Sequence, residues 1–187
     1  MYKAVIDQIN SLSPLTPEAE VDLVSKFKTQ SFDKNEFILN EGQKCSNLYF
    51  ILDGTIRLFT NYDGTEVTYW IYPEDMFFTS WHSFINKNLS KEAIQSIAKT
   101  EVCYITQDDL YELYDKHHCI ERFGRRLLEH NLSTWDDFYK GFTLLTAKQK
   151  YEHLLEVYPS VIQRANLGYI ASMLGITSET LSRIRRS

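Results

Sequence analysis

Three textures of apolar and polar positions follow one another along the chain. The first is helical: in SLSPLTPEAEVDLVSKF, Thr16 is placed to cap a helix with Pro17 at its first position, and Val21, Val24 and Phe27 recur at helical spacing. From residue 31 to about 106 the pattern is that of strands, in EFILN, LYFIL, TIRLFTN, EVTYWIY, AIQSIA and EVCYI, all rich in β-branched and aromatic residues. Asp53-Gly54 and Asp63-Gly64 punctuate these runs. Asp-Gly is a strong tight-turn signal, so RLFTNYDGTEVTYWIY reads as one hairpin. Six to eight short strands at this spacing predict a double-sheet jelly roll or small barrel.

The helical period then returns. TQDDLYELYDKH begins with a capping threonine and acids in the first turn, where they suit the helix dipole. Ile120, Phe123, Leu127, Asn131, Trp135, Phe138, Phe142 and Leu145 follow at intervals of three or four and predict one long helix. Its stripe suits either the chain's own sheet or a coiled-coil seam with a second copy, in which Asn131 would be a polar register residue. TAKQKYEHLLEVYP opens with a Thr-x-x-Gln capping box and stops at Pro159. In NLGYIASMLGI, Leu167, Ile170, Ala171 and Leu174 face one way, and Gly175 stands where a helix end needs a left-handed residue. Thr177 then caps a second helix whose Leu181 and Ile184 point inward, while Glu179, Arg183 and Arg186 fall on the opposite face. Two helices crossing at a small residue, with a glycine four positions on, make a helix-turn-helix pattern.

Charge strengthens that pattern. The 187 residues carry a net charge of -5, but residues 160–187 hold four arginines (Arg164, Arg183, Arg185, Arg186) and one acid, Glu179, for a net of +3. The tail can therefore face phosphates while an acidic body stays soluble. Cations at a helix C-terminus also complement its dipole without any ligand, but here the charge switch coincides with the two-helix pattern. The 43% hydrophobic content is globular, and no apolar run approaches a membrane span or a secretion signal, so a cytoplasmic protein with no membrane partner is expected. Cys45, Cys103 and Cys119 are widely spaced and read as small buried hydrophobes.

The order of a roll-like β region, a long helix and a C-terminal IASMLGITSETLSRIRR resembles the Crp/Fnr family of bacterial transcription regulators over essentially the whole chain. The resemblance implies an α+β fold. Residues 1–116 would form a β-roll sensor domain, a double-stranded jelly roll of cupin-like, cyclic-nucleotide-binding-like type with flanking short helices. Residues 117–145 would be a long dimerisation helix, and 146–187 a helix-turn-helix DNA-binding domain. It further implies a homodimer through Phe123, Leu127, Asn131, Trp135, Phe138 and Phe142, with double-stranded DNA and RNA polymerase as partners. The family's glutamate-to-arginine pair falls on Glu179 and Arg183, within a DNA-binding set of Thr177, Ser178, Glu179, Thr180, Ser182, Arg183 and Arg186. Ser178 departs from the arginine often found before that glutamate.

The sensor departs further. Family members that bind cyclic nucleotides place a Gly-Glu pair and an arginine against the cyclic phosphate. The corresponding PEDMFFTSWHSFINKNLSKEAIQSIAKT has no glycine and no arginine, and Glu92 stands near the family arginine's place. An anionic phosphate needs backbone donors or a guanidinium and is repelled by an acid, so loss of cyclic AMP binding is expected. The alternative is a sensor for a cyclic nucleotide or another small effector in an unfamiliar pocket. Trp81 with Phe77, Phe78 and Phe84 would supply its apolar wall if those aromatics are not plain core. A cupin-like metal enzyme is the remote third reading; it needs histidines on adjacent strands, whereas His117, His118, His130 and His153 lie in helical segments and only His82 in the β region. Three cysteines are too few for an iron-sulfur cluster. A non-enzymatic regulator without a cofactor is therefore expected.

Overall fold

The computed structural model describes residues 2–186. Their order is α1 (Lys3–Leu12), α2 (Pro17–Lys26), β1 (Lys28–Phe32), β2 (Phe37–Leu39), β3 (Asn47–Asp53), β4 (Ile56–Tyr62), β5 (Thr65–Tyr72), β6 (Phe77–Phe78), α3 (Trp81–Asn86), β7 (Ala93–Ser96) and β8 (Thr100–Thr106). The helices α4 (Gln107–Lys116), α5 (His118–Leu144), α6 (Ala147–Val157), α7 (Pro159–Arg164), α8 (Leu167–Leu174) and α9 (Ser178–Ile184) complete them. The strands form two four-stranded antiparallel sheets, β1-β8-β3-β6 and β2-β7-β4-β5, which is the double-sheet roll. All six expected runs are strands; β1 and the two-residue β6 are additional.

The continuous apolar character of LYFIL has a packing cause. Strand side chains alternate between faces, and both faces of β3 are covered: Tyr49 and Ile51 point between the sheets, with Ile56, Leu58, Ile94 and Val102. Leu48 and Phe50 point outward beneath α1, α2, α4 and the start of α5, with Val5, Leu23, Leu110, Ile120 and Phe123. The β4–β5 hairpin turns at Asp63 and Gly64, both at positive φ (51° and 80°), as the Asp-Gly pair requires. In α2 Thr16 caps as expected, accepting from the Ala19 N–H, but the inward face is Ala19 and Leu23, and Val21 is 69% exposed. Of the expected stripe, Phe27 is buried and Val24 packs against the same core, so only Val21 faces outward.

His117 joins α4 to α5 in extended backbone and is not itself helical. Its Nε2 lies 2.7 Å from Asp22, which Lys116 also holds at 2.6 Å; the hydrogen bonds from Lys116 first and then His117 keep the Asp22 carboxyl below its ordinary range. The capping box of α6 forms from Thr146 and Gln149, and Pro159 both closes that helix and opens α7.

Candidate nucleic-acid interface and ligand chamber

The C-terminal unit takes the expected form. Asn166 caps α8, accepting from the Tyr169 N–H, and Gly175 ends it at φ 66° and ψ 33°. Thr177 caps α9, accepting from the Thr180 N–H at 3.2 Å. Ile170, Ala171, Met173, Leu174 and Leu181 are buried together with Tyr151, Leu154 and Val161. Burial of Leu181 alone contributes on the order of 1.5–3 kcal/mol. Thr177, Ser178, Glu179, Arg183 and Arg186 are exposed, and Thr180 and Ser182 half-buried; the helix ends at Ile184, so Arg186, expected within it, lies in the turn that follows. Among the described residues Glu179 and Arg183 are not ion-paired; the Glu179 carboxyl is instead held below its usual range by its own backbone N–H and, after that, by Thr177. The helix N-terminus offers unpaired N–H groups nearer than the arginine one turn on.

This unit is docked on the roll. Ile71 and Ile97 share its core, and the Thr68 N–H of the edge strand β5 donates to Ser172 Oγ on α8 at 2.9 Å. Arg57, only 2% exposed, lies between the rings of Phe59 and Tyr169, its guanidinium carbon 3.9 Å from each ring centre. In the guanidinium plane it donates to Gln95 Oε1 at 2.9 and 2.7 Å, to Thr68 Oγ1 at 3.3 Å and to Glu66 Oε2 at 2.6 Å. Both faces and the donor edge of a desolvated cation are thereby occupied. Sequence reasoning missed this residue, since an arginine in a strand run reads as a solvent-facing position. Arg164 adds an ion pair to Glu74.

Between the second sheet and α5 lies a chamber of about 350 Å³. Strand β5 lines it with Tyr69, Trp70 and Tyr72, β4 with Leu58, α3 with Trp81 and His82, and α5 with Trp135, Phe138 and Tyr139. Glu92, just before β7, is the one carboxylate on its wall. Of the five residues expected here, Trp81 and Glu92 are present, whereas Phe77, Phe78 and Phe84 are core. The two residues of β6 point to opposite faces of their sheet, Phe77 beneath the helices and Phe78 between the sheets, and Phe84 packs with Phe77. The missed wall residues of β5 carried a signal in the aromatic density of EVTYWIY. Burial pushes the Glu92 carboxyl up to about 7. Its side chain has no hydrogen-bond or ion-pair partner among the described residues.

The long helix is shared between two tasks. Phe123 and Leu127, expected at a dimer seam, are buried in the chain's own core, and Phe138 packs edge-on against Trp70 at 4.8 Å. Asn131 is half-buried. Leu128, Leu132, Trp135, Tyr139 and Phe142 remain exposed, at intervals of four, three, four and three. That is the heptad spacing of a coiled-coil seam. It shares Trp135 and Phe142 with the expected stripe, which was drawn through both faces because a 27-residue helix turning between neighbours changes the side it buries.

Among the described residues no helix is long and apolar enough to cross a membrane. Residues 29–117 match the cyclic nucleotide-binding domain family. FixK2 from Bradyrhizobium japonicum superposes with a TM-score of 0.71 at 18% identity, over 86% of this chain and 83% of that one. A crp/fnr-family transcriptional regulator from Eubacterium rectale gives 0.69 at 18% identity, over 92% and 82%. The catabolite activator protein of Thermus thermophilus gives 0.60 at 16% identity, over 96% and 85%. No curated protein matches the chain in sequence.

Proposed function

We propose that this protein is a dimeric, non-enzymatic transcription regulator that binds double-stranded DNA through α9, on the match of residues 29–117 to the cyclic nucleotide-binding domain family and the superposition of most of the chain on Crp/Fnr-type structures. The observation that carries the reading is the exposed Glu179 and Arg183 on a capped helix whose Leu181 is buried, with the exposed Arg186 in the turn just after it. Three units follow: residues 1–116 as sensor, 117–145 as dimerisation helix and 146–187 as DNA-binding domain. The cytoplasm is its place, and RNA polymerase its expected protein partner. Cyclic AMP is not its effector, because a cyclic phosphate in the chamber would meet Glu92 and no arginine.

Arginine pairs with the two acceptors of guanine and glutamate accepts from the cytosine amino group, so Arg183 and Glu179 are assigned to bases and Arg186 to a phosphate. Selection from a random DNA pool should return a pseudo-palindrome with half-sites about 34 Å apart. Arg183→Ala is expected to cost roughly 1–3 kcal/mol and relax one base pair per half-site, while Arg186→Ala weakens all sequences alike and flattens the salt dependence. Uniform weakening by both substitutions would show α9 to be a backbone anchor only.

The dimer is assigned to the heptad-spaced face of α5. Leu132 is 68% exposed within the chain, so Leu132→Asp should leave the fold intact and yield a monomer in analytical ultracentrifugation. A monomeric parent protein at micromolar concentration would refute the seam.

A further inference from the structure

All three tryptophans of the chain, Trp70, Trp81 and Trp135, line the one chamber that also holds Glu92. The Trp81 and Trp135 rings stand 76° apart in plane with centres 6.2 Å apart, and Trp70 meets Phe138 at 74° and 4.8 Å. These edge-to-face contacts set the rings of the wall nearly perpendicular to one another. Aromatic faces attract cations through the ring quadrupole, and the attraction grows when water is excluded. The wall carries no lysine or arginine that would neutralise Glu92 from within. Two further wall residues hold buried polar atoms without a hydrogen-bond partner among the described residues, Trp70 Nε1 and Tyr69 Oη. Native proteins rarely leave such groups unpaired. An anion is disfavoured by the carboxylate, and a purely apolar guest would leave the carboxylate unanswered; the Trp70 N–H needs an acceptor, which a hydroxyl oxygen on the guest supplies and an ammonium group does not.

We infer that this chamber is a binding site for a small quaternary ammonium compound, held by the aromatic wall with Glu92 as its counter-ion. The inference rests on the reading of the roll as a sensor, and it names the ligand chemistry that has replaced the cyclic phosphate. A bound cation favours the ionised carboxylate, and Glu92, pushed up to about 7, is only partly ionised at neutrality without one. Affinity for a permanent cation should therefore strengthen from pH 6 to pH 8. The other titratable groups facing the chamber are His82 from α3, Tyr69 and Tyr72 from β5 and Tyr139 from α5, and Lys91 precedes Glu92 in the chain. The Glu92 variant separates the contribution of this carboxylate from theirs.

The test uses the full chain, tryptophan fluorescence and calorimetric titration with choline, tetramethylammonium and 3,3-dimethylbutan-1-ol, the uncharged isostere of choline. Choline is expected to bind and to perturb the tryptophan emission, with the neutral isostere weaker by about tenfold or more. Glu92→Gln, which keeps the shape and removes the charge, should weaken choline by about tenfold and abolish the strengthening between pH 6 and 8. Should that variant fail to fold, Trp135→Leu on the half-exposed outer wall must weaken choline instead. The inference is overturned by no binding of either cation at about 10 mM, by equal binding of the isostere, or by unchanged affinity in Glu92→Gln. DNA does not enter these measurements. Choline binding without any DNA binding would sink the regulator reading and leave the site standing; the reverse result would do the opposite.

Discussion

Replacing Arg57 by methionine is expected to destabilise the protein by about 2–4 kcal/mol, from the two buried polar groups it leaves unsatisfied, and to let the C-terminal helices separate from the roll. Methionine fills much of the same volume, so the loss is that of the guanidinium. Gln95 and Thr68, both buried, lose their charged partner, whereas Glu66 is half exposed and rehydrates. An unsatisfied buried polar group costs about 1–3 kcal/mol, and the ring of Tyr169 loses the cation that binds α8 to β4. Urea denaturation followed by tyrosine and tryptophan emission should resolve one transition in the parent and two in the variant. Limited proteolysis should cut the variant within α5–α6 under conditions that spare the parent. Arg57→Lys should not rescue, because an ammonium can neither stack between two rings nor donate in a fork. A loss under about 1 kcal/mol with cooperativity retained would mean that the apolar contacts of Ile71 and Ile97 hold the two parts together unaided.

Gly175→Ala is expected to cost about 2–4 kcal/mol, with a parallel loss of DNA affinity. Its φ of 66° lies in the left-handed region, where an L side chain costs roughly 1–2 kcal/mol. The remainder comes from space: a Cβ there would sit 2.7 Å from Phe142 Cζ, in a ring already faced by the Lys150 ammonium at 3.9 Å. To make room either the Phe142 ring or the turn must shift, and α9 follows a shift of the turn. The two causes can be separated by a double-mutant cycle. In a Phe142→Ala background the same Gly175→Ala step should cost only the backbone strain, about 1–2 kcal/mol. An equal cost in both backgrounds would remove Phe142 from the account. Phe142 also meets Phe138, with ring centres 6.1 Å apart, and Phe138 meets Trp70. Side chains in contact thus run from the chamber wall to the turn before α9.

Local rules made much of this protein legible from its residues. Thr16, Thr106, Thr146 and Thr177 all cap helices, because an N-cap hydroxyl needs only the backbone N–H two or three positions on. The Asp63-Gly64 hairpin and the Gly175 helix end are equally local, set by which residues tolerate positive φ. Strand runs were visible because burial on one or both faces selects apolar residues at a period of one or two. The exposed trio of Glu179, Arg183 and Arg186 followed from helical periodicity alone.

What the sequence could not reveal depends on contacts between residues far apart in the chain. Phe77, Phe78 and Phe84 carry the same aromatic signal as Trp70, Trp81 and Trp135, yet the first three fill cores and the others wall a chamber. Which of them meets empty space depends on where α5 lies across the second sheet. In the same way Phe123 and Leu127 face inward and Leu128 and Leu132 outward, because α4 and the roll cover one side of α5 and leave the other. Arg57 is the sharpest case: its neighbours Phe59, Thr68, Gln95 and Tyr169 come from three strands and a helix. The sequence by itself determined the elements, their caps and turns, and the face that α9 presents, since each depends on neighbours within a turn or a strand. Tertiary structure alone decided the chamber, the outward seam and the buried arginine. Burial and charge pairing are properties of packed surfaces, and local spacing says only which side chains are available for them.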